Sequence, residues 1–257
     1  RGGRIAGNSA RSPLSRGFEQ MEHQWFCKEG TDQEYYAEFK KRAWQFLLDL
    51  GFKEEHLRFH DHDKLAHYAK AACDIQYDFP MGWSELNGIH NRTDYDLSRH
   101  QEYSGKSMMY VDPVTQERYI PYVIEYSIGA DRLMLAALSE AYDEETLENG
   151  EVRNVMRFHP AIAAYKAAVL PLQKGLAPQA KELLAKLKKH FLVTYDEAGS
   201  IGKRYRRQDE IGTPYCLTVD FDTLENGTVT VRDRDTMEQV RMNADEVIAF
   251  LREKCAF

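Results

Sequence analysis

The sequence predicts an α+β chain in two parts. A mixed set of strands and helices runs to about residue 150, and an α/β module follows from 151 to 257. Three observations predict this. Apolar residues recur with strand and helix periods in separate runs along the chain. The stretch YDEETLENGE (142–151) is acidic, polar and aperiodic, and reads as a linker. The charge balance also changes there: residues 153–257 carry 17 Lys+Arg against 14 Asp+Glu, whereas residues 1–152 carry 17 against 27. A basic second part beside an acidic first part fits a chain in which only the second faces a polyanion.

The elements follow in order. FEQMEHQWF (18–26) alternates and is rich in aromatics, so it reads as a strand with Phe18, Gln20, Glu22, Gln24 and Phe26 on one face. EYYAEFKKRAWQFLLDLGF has helical spacing: Tyr36, Phe39, Ala43, Phe46 and Leu47 form a stripe that stops near Gly51. DKLAHYAKAACDI reads as a shorter helix, with Asp63 as its cap. GWSELNGIHNRTDYDLSRHQEYSG has no clean period and reads as site-building loops and short strands. YIPYVIEYSI is a strand and ADRLMLAALSEAY a helix. Beyond residue 151, AIAAYKAAVLPL reads as a strand, PQAKELLAKLKKHF as an amphipathic helix and FLVTYDE as a strand. SIGKRYRRQDEIG reads as a basic loop or helix start. PYCLTVDFDTL and GTVTVRDRD read as a hairpin around Glu225-Asn226-Gly227, and DEVIAFLREK closes the chain as a helix. Alternation of strands and helices argues an α/β module.

Composition bounds the class. The chain has 257 residues, 43% hydrophobic and 29% charged, enough for one or two domains with real cores. No apolar run approaches the roughly 20 residues of a membrane helix. RGGRIAGNSARSPLSRG lacks the apolar centre of a secretory signal. The four cysteines form no CxxC pair, which argues against a zinc ribbon or redox motif and fits a reducing compartment, the cytoplasm.

Four groups of residues could carry chemistry. On a strand, Glu125 and Ser127 share a face. If the strand holding Glu22 lies in the same sheet, two carboxylates and a hydroxyl line one cavity, which suits a small ammonium group. The other reading is a structural ion pair between Glu125 and a nearby Arg or Lys, and spacing alone favours it. Arg132 sits in the first turn of the next helix, where a guanidinium can stack on a base or pair with Asp131 or Glu140. His60, His62 and His67, with Asp61 and Asp63, read as a solvated loop rather than a metal site. Lys203, Arg204, Arg206 and Arg207 surround Tyr205, and Arg232 and Arg234 share one strand face; such cations suit phosphate and single-stranded base contact, or neutralise neighbouring acids.

These segments resemble a known family. VIEYSIGADRLMLAAL resembles motif 3 of class II aminoacyl-tRNA synthetases in the form seen in glycyl-tRNA synthetases. GWSELNGIHNRTDYDLSRHQEYSGKSM resembles their catalytic domain just before motif 3, and RGFEQMEHQWF the end of motif 2. SIGKRYRRQDEIGTPYCLTVDFDTLENGTVTVRDRDTMEQVR resembles their anticodon-binding domain. The likeness runs from about Arg16 to the end, in the right order.

The resemblance implies an antiparallel class II sheet with flanking helices over 1–150, then an anticodon-binding domain with a mixed sheet over 151–257. It implies ligation of glycine to tRNA(Gly) through a glycyl-adenylate made from ATP with Mg²⁺, in a cytoplasmic homodimer. Glu22, Glu125, Ser127 and Arg92 would hold glycine, with Glu125 and Arg132 central to catalysis. Phe18, Arg132 and Glu85 would hold ATP. Lys203, Arg204, Arg206, Arg207, Arg232 and Arg234 would face tRNA. Motif 1 and the Phe-Arg-x-Glu box of motif 2 are not legible, Gly17 stands where Glu is usual, and Tyr126 where Pro is common. The sequence as given therefore reads as part of such a synthetase. An alternative of the same architecture is an accessory nucleic-acid-binding subunit without aminoacylation, like the processivity factor of mitochondrial DNA polymerase. In such a protein Glu22, Glu125, Ser127 and Arg132 would be free to drift, and here all four stand.

Overall fold

The computed structural model describes residues 19–257, so Phe18 and Gly17 lie outside the described residues. These residues divide into two compact units that meet in sequence at Ala136 and Ala137.

The first unit is built on one antiparallel sheet. Its elements are β1 (Gln20–Cys27), α1 (Asp32–Asp49), β2 (Leu57–Asp61), β3 (Ala71–Phe79), β4 (Gly82–Asn91), α2 (Tyr95–Ser104), β5 (Tyr110–Val111), β6 (Arg118–Tyr119), β7 (Tyr122–Gly129) and the start of α3 (Ala130–Ala141). The strand order is β1-β7-β4-β3-β2, every neighbouring pair antiparallel. Period-two alternation separates the two faces. One face carries Ile124, Ile128, Ile89, Ile75, Tyr77 and Leu57, all buried. The apolar stripe of α1 packs there through Tyr36, Ala43 and Leu47. Each such aliphatic side chain contributes about 1.5–3 kcal/mol by leaving water. The other face is polar and carries Glu22, Gln24, Glu125, His90 and Asp74.

A buried carboxylate ties α1 to this sheet. Asp32, the first helical residue, accepts from Lys70 Nζ at 2.8 Å, Asn91 Nδ2 at 2.6 Å and the Gly30 amide at 3.1 Å. Burial works against its ionised form, but these donors outweigh burial and hold the carboxyl below its usual value.

Three expectations change here. DKLAHYAKAACDI is not a helix: residues 62–70 are turn and loop, Asp63 caps no helix, and β3 begins at Ala71. The local alanine-rich spacing mimics a helix, but Cys73, Ile75, Tyr77 and Phe79 alternate with polar residues and fill a central strand. The segment GWSELNGIHN is one ten-residue strand, β4, rather than short pieces. Its period is hidden by an irregularity against Ile75 and Gln76.

The stretch read as a linker, 142–151, lies inside the second unit, which begins at Ala137. YDEET forms β8 (Tyr142–Thr146), which pairs with β9 (Val152–Met156) across the Asn149-Gly150 turn. The acidic strand is neutralised by arginines: Arg157 bridges Asp143 at 2.7 Å and Glu145 at 2.9 Å. There follow β10 (Ala167–Pro171), α4 (Ala177–Leu187), β11 (Val193–Tyr195), α5 (Ile201–Ile211), β12 (Tyr215–Val219), α6 (Phe221–Asn226), β13 (Thr228–Asp233), β14 (Gln239–Asn243) and α7 (Val247–Lys254).

The sheet order is β11-β10-β12-β13-β14, parallel among the first three and antiparallel beyond, as a mixed sheet requires. Strands β10 and β12 are buried along their whole length, which is why they read as unbroken apolar runs. Leu183, Leu187, Val247 and Leu251 from α4 and α7 cover one face. Ile201 and Tyr205 of α5 pack against Ala168, Leu170 and Cys216 on the other. Strands β12 and β13 do pair antiparallel, but α6 connects them rather than a tight turn. Asp220 and Thr223 cap that helix reciprocally, and Gly227 ends it at φ +70.

Candidate active site and nucleic-acid face

The polar face of the first sheet brings the predicted residues together through register. Strands β1 and β7 pair Glu22 with Ser127 and Gln24 with Glu125. Strands β7 and β4 pair Ser127 with Gly88 and Glu125 with His90. Paired residues in an antiparallel ladder share a face. Glu22, Gln24, Glu125, Ser127 and His90 therefore surround one spot across three strands, over the gap left by Gly88.

Glu125 is 8% exposed and Ser127 9%. Arg92 Nη1 donates to both Glu125 oxygens, at 3.1 and 3.3 Å, and Gln24 Nε2 reaches Oε2 at 3.4 Å. His90 Nδ1 lies 3.4 Å from Glu125 Oε1, off the line of a good hydrogen bond. Burial alone would raise the Glu125 carboxyl. The His90 imidazole and the Arg92 guanidinium outweigh burial and hold it below its usual range, so it is anionic at neutral pH. Arg92 is itself fixed by Asp96 at 2.7 Å and by the Tyr68 ring, 4.4 Å from its guanidinium carbon. Glu125 thus has an arginine partner, and it lies on the polar face of the sheet with Glu22 and Ser127.

Arg132 and Glu85 also come together. Arg132 Nη1 donates to the Glu85 carbonyl at 2.7 Å and lies 3.4 Å from its carboxylate. Its partner is neither Asp131 nor Glu140, and the guanidinium stays half exposed beside the sheet. Tyr126 points to the opposite face, where it lines an apolar groove of about 480 Å³ with Met21, His23 and Ile128. His62 Nε2 bonds the Asp74 carboxylate at 2.8 Å, a pairing across β3 that spacing did not suggest.

In the second unit the six cations predicted to face tRNA divide sharply. Arg204 is 4% exposed and donates to the carbonyls of Pro171, Leu172 and Gly199. Arg232, also 4% exposed, forks onto Asp209 at 2.8 and 3.1 Å and stacks 4.8 Å from the Tyr205 ring. Arg234 is buried against the Gly212 and Phe158 carbonyls. These three are corrected from surface contacts to structural ties, because their donors are already used inside the unit. Arg207 is half open but paired with Asp196 at 2.8 Å and with the Ala198 carbonyl at 2.6 Å. Lys203 is exposed and Arg206 partly so. Both line a groove of about 580 Å³ with Tyr205, Arg207, Arg232 and two carboxylates, Glu151 and Glu210. The sequence reading missed Arg153, fully buried between Asp209 and Glu145 at 3.3 Å each. No sequence signal marks it, since its partners lie on other elements.

Residues 166–254 match the anticodon binding domain family. Over 245 residues the chain is 60% identical to the glycine–tRNA ligase of Clostridium kluyveri and 58% identical to that of Geobacillus kaustophilus, covering 95% of this chain and 53% of each relative. Over that length the chain is similar to glycine–tRNA ligases. The chain spans about half the length of the curated relatives it matches. Among solved structures, the RNA binding domain of threonyl-tRNA synthetase from Cryptosporidium parvum Iowa II matches at TM-score 0.69. That match has 17% identity and covers 93% of this chain and 64% of that one, a likeness of fold. The mixed sheet of β10–β14 lies within the residues that match the anticodon binding domain family. No helix among the described residues is long and apolar enough to cross a membrane.

Proposed function

We propose that the parent protein is a glycine–tRNA ligase, with glycine received on the polar face of the first sheet and tRNA(Gly) by the second unit. The observation that carries this reading is the register that sets Glu22 beside Ser127 and Glu125 beside Gln24 over a glycine at position 88. Two carboxylates and a hydroxyl supply the acceptors an ammonium group needs. Arg92 keeps the Glu125 carboxylate ionised and aimed. The same four residues, Glu22, Glu125, Ser127 and Arg132, favour an enzyme over an accessory nucleic-acid-binding subunit.

The chemistry asks little of protein nucleophiles. Glycine carboxylate attacks the α-phosphate of ATP, pyrophosphate leaves, and a terminal tRNA hydroxyl then takes the glycyl group. The protein contributes position and charge. Arg132, half exposed on Glu85, is placed to cover a base and stabilise phosphate charge; Phe18 would stack on the other side of that base. Mg²⁺ enters with the ATP phosphates and neutralises their charge. No group of three or more His, Cys, Asp or Glu side chains among the described residues could hold a metal ion. In the second unit Lys203 and Arg206, the more open cations of the groove, would meet phosphate. A cytoplasmic homodimer belongs to the same reading, and sedimentation of the full-length protein measures its oligomeric state.

Glycine-dependent ATP–pyrophosphate exchange by the full-length protein tests the function. Exchange with alanine or serine but not glycine would sink the specificity. Glu125→Gln should weaken glycine use sharply and leave tRNA binding nearly intact. Equal loss of both would make Glu125 a structural residue.

A further inference from the structure

We propose that His90 is the wall that sizes the amino-acid pocket, an assignment that rests on the glycine-site reading above. His90 stands opposite Glu125 and Gly88 opposite Ser127, on the same strand and the same face. The His90 ring is folded back along its strand onto Gly88. A Cβ built on Gly88 would lie 2.7 Å from His90 Cε1 and 3.5 Å from each ring nitrogen, and no other residue supplies any of the three nearest atoms. Real Cβ atoms essentially never approach that closely. The imidazole therefore takes the volume that a side chain at position 88 would take. Its Nδ1 is buried, lacks a well-aligned partner and lies 3.4 Å from Glu125 Oε1.

The consequence follows from sheet geometry. Neighbouring strands are about 4.8 Å apart, so the spot between Glu22, Glu125 and Ser127 is only about two strands wide. Glu22 and Gln24 bound it on the β1 side. The His90 ring bounds it on the β4 side, spanning the row from Glu125 to Ser127. An ammonium held by Glu22, Glu125 and Ser127 has its α-carbon next to that ring. A substrate methyl pointing toward β4 would need the ring's volume. A Cβ at position 88 would have to displace the His90 ring, and the ring where it stands denies that space to a substrate side chain.

Calorimetric titration of the full-length protein with glycine and with alanine tests the assignment, using circular dichroism to verify that each variant folds. His90→Ala should cut the preference for glycine over alanine about tenfold or more, the scale of one methyl group in a pocket. Gly88→Ala should push the ring into the site and weaken glycine binding about tenfold or more. The double variant, Gly88→Ala with His90→Ala, should recover glycine affinity to within about threefold of His90→Ala, because the clash is with His90 alone. Unchanged selectivity in His90→Ala, or a double variant no better than Gly88→Ala, overturns the proposal. If the full-length wild type binds glycine and Glu125→Gln does not, those results leave the glycine site standing while removing His90 from it. A full-length wild type that binds no glycine overturns both.

Discussion

Glu125 and Asp209 are both buried carboxylates that face arginine, and they do opposite things. Glu125 keeps an open side. Arg92 approaches it through one nitrogen shared between both oxygens, and Gln24 reaches it only at 3.4 Å. Asp209 is fully enclosed. Arg232 forks onto both its oxygens and Arg153 adds a third contact at 3.3 Å, with no exposure left. The difference teaches that burial and an arginine partner do not make a binding site. What matters is whether the carboxylate's acceptor sites are saturated by the fold. Glu125 has capacity to spare, whereas Asp209 has used its own to join α5, β9 and β13.

The strongest break of this contrast is Asp209→Ala. It leaves two buried guanidinium groups without their carboxylate, and removing one partner of a buried pair costs about 3–5 kcal/mol. Urea denaturation should register that loss in the second unit. A loss below about 1 kcal/mol would mean that Arg153 and Arg232 find water or other acceptors. Arg204→Ala comes next, at about 1–3 kcal/mol, since the carbonyls of Pro171, Leu172 and Gly199 lose their donor.

The sequence carried the open carboxylate better than the closed one. Alternation in VIEYSIG puts Glu125 and Ser127 on one face, and the structure keeps them there with Tyr126 opposite. That inference needs only one strand. The closed cluster needs three elements: Arg153 on β9, Asp209 on α5 and Arg232 on β13. A cation in sequence has no mark of burial, so the cations of KRYRR and VRDRD read as a nucleic-acid face although three of the six turn inward. The α5 spacing of Arg204 and Gln208 places both on one buried helix face, a signal that was present but polar and so looked exposed. His90 escaped for a related reason, because its role depends on a missing Cβ two residues away. The strand β3 was hidden by its alanine-rich start, and β14 by its polar composition, QVRMN.

Glu125→Gln should be milder for stability than Asp209→Ala, about 1–2 kcal/mol, because Arg92 retains Asp96 and the amide retains an acceptor. The pH dependence has a definite sign. The Glu125 carboxyl titrates lower in the folded protein than in the unfolded chain, so its stabilisation is fully present above the ordinary glutamate value of about 4.3. It is lost as pH falls through the lowered folded value. The stability difference between wild type and Glu125→Gln should therefore shrink below about pH 4. A difference that grows on acidification would mean that burial, not His90 and Arg92, dominates this carboxyl.

Lys203→Ala is the smallest and most discriminating change. Lys203 is exposed, one residue from the buried Arg204, and carries no hydrogen bond that the unit needs. Its loss should alter stability by less than about 0.5 kcal/mol, the usual range for surface sites. If the groove it lines with Arg206 faces phosphate, tRNA affinity should fall and the slope of log affinity against log salt should drop by about 1. Adjacent positions on one helix would then separate cleanly: Arg204 costs stability, and Lys203 costs only binding. If Lys203→Ala leaves both tRNA affinity and salt slope unchanged, the phosphate contact lies elsewhere on the unit, and the open cations of α5 are solvated charge like any other surface lysine.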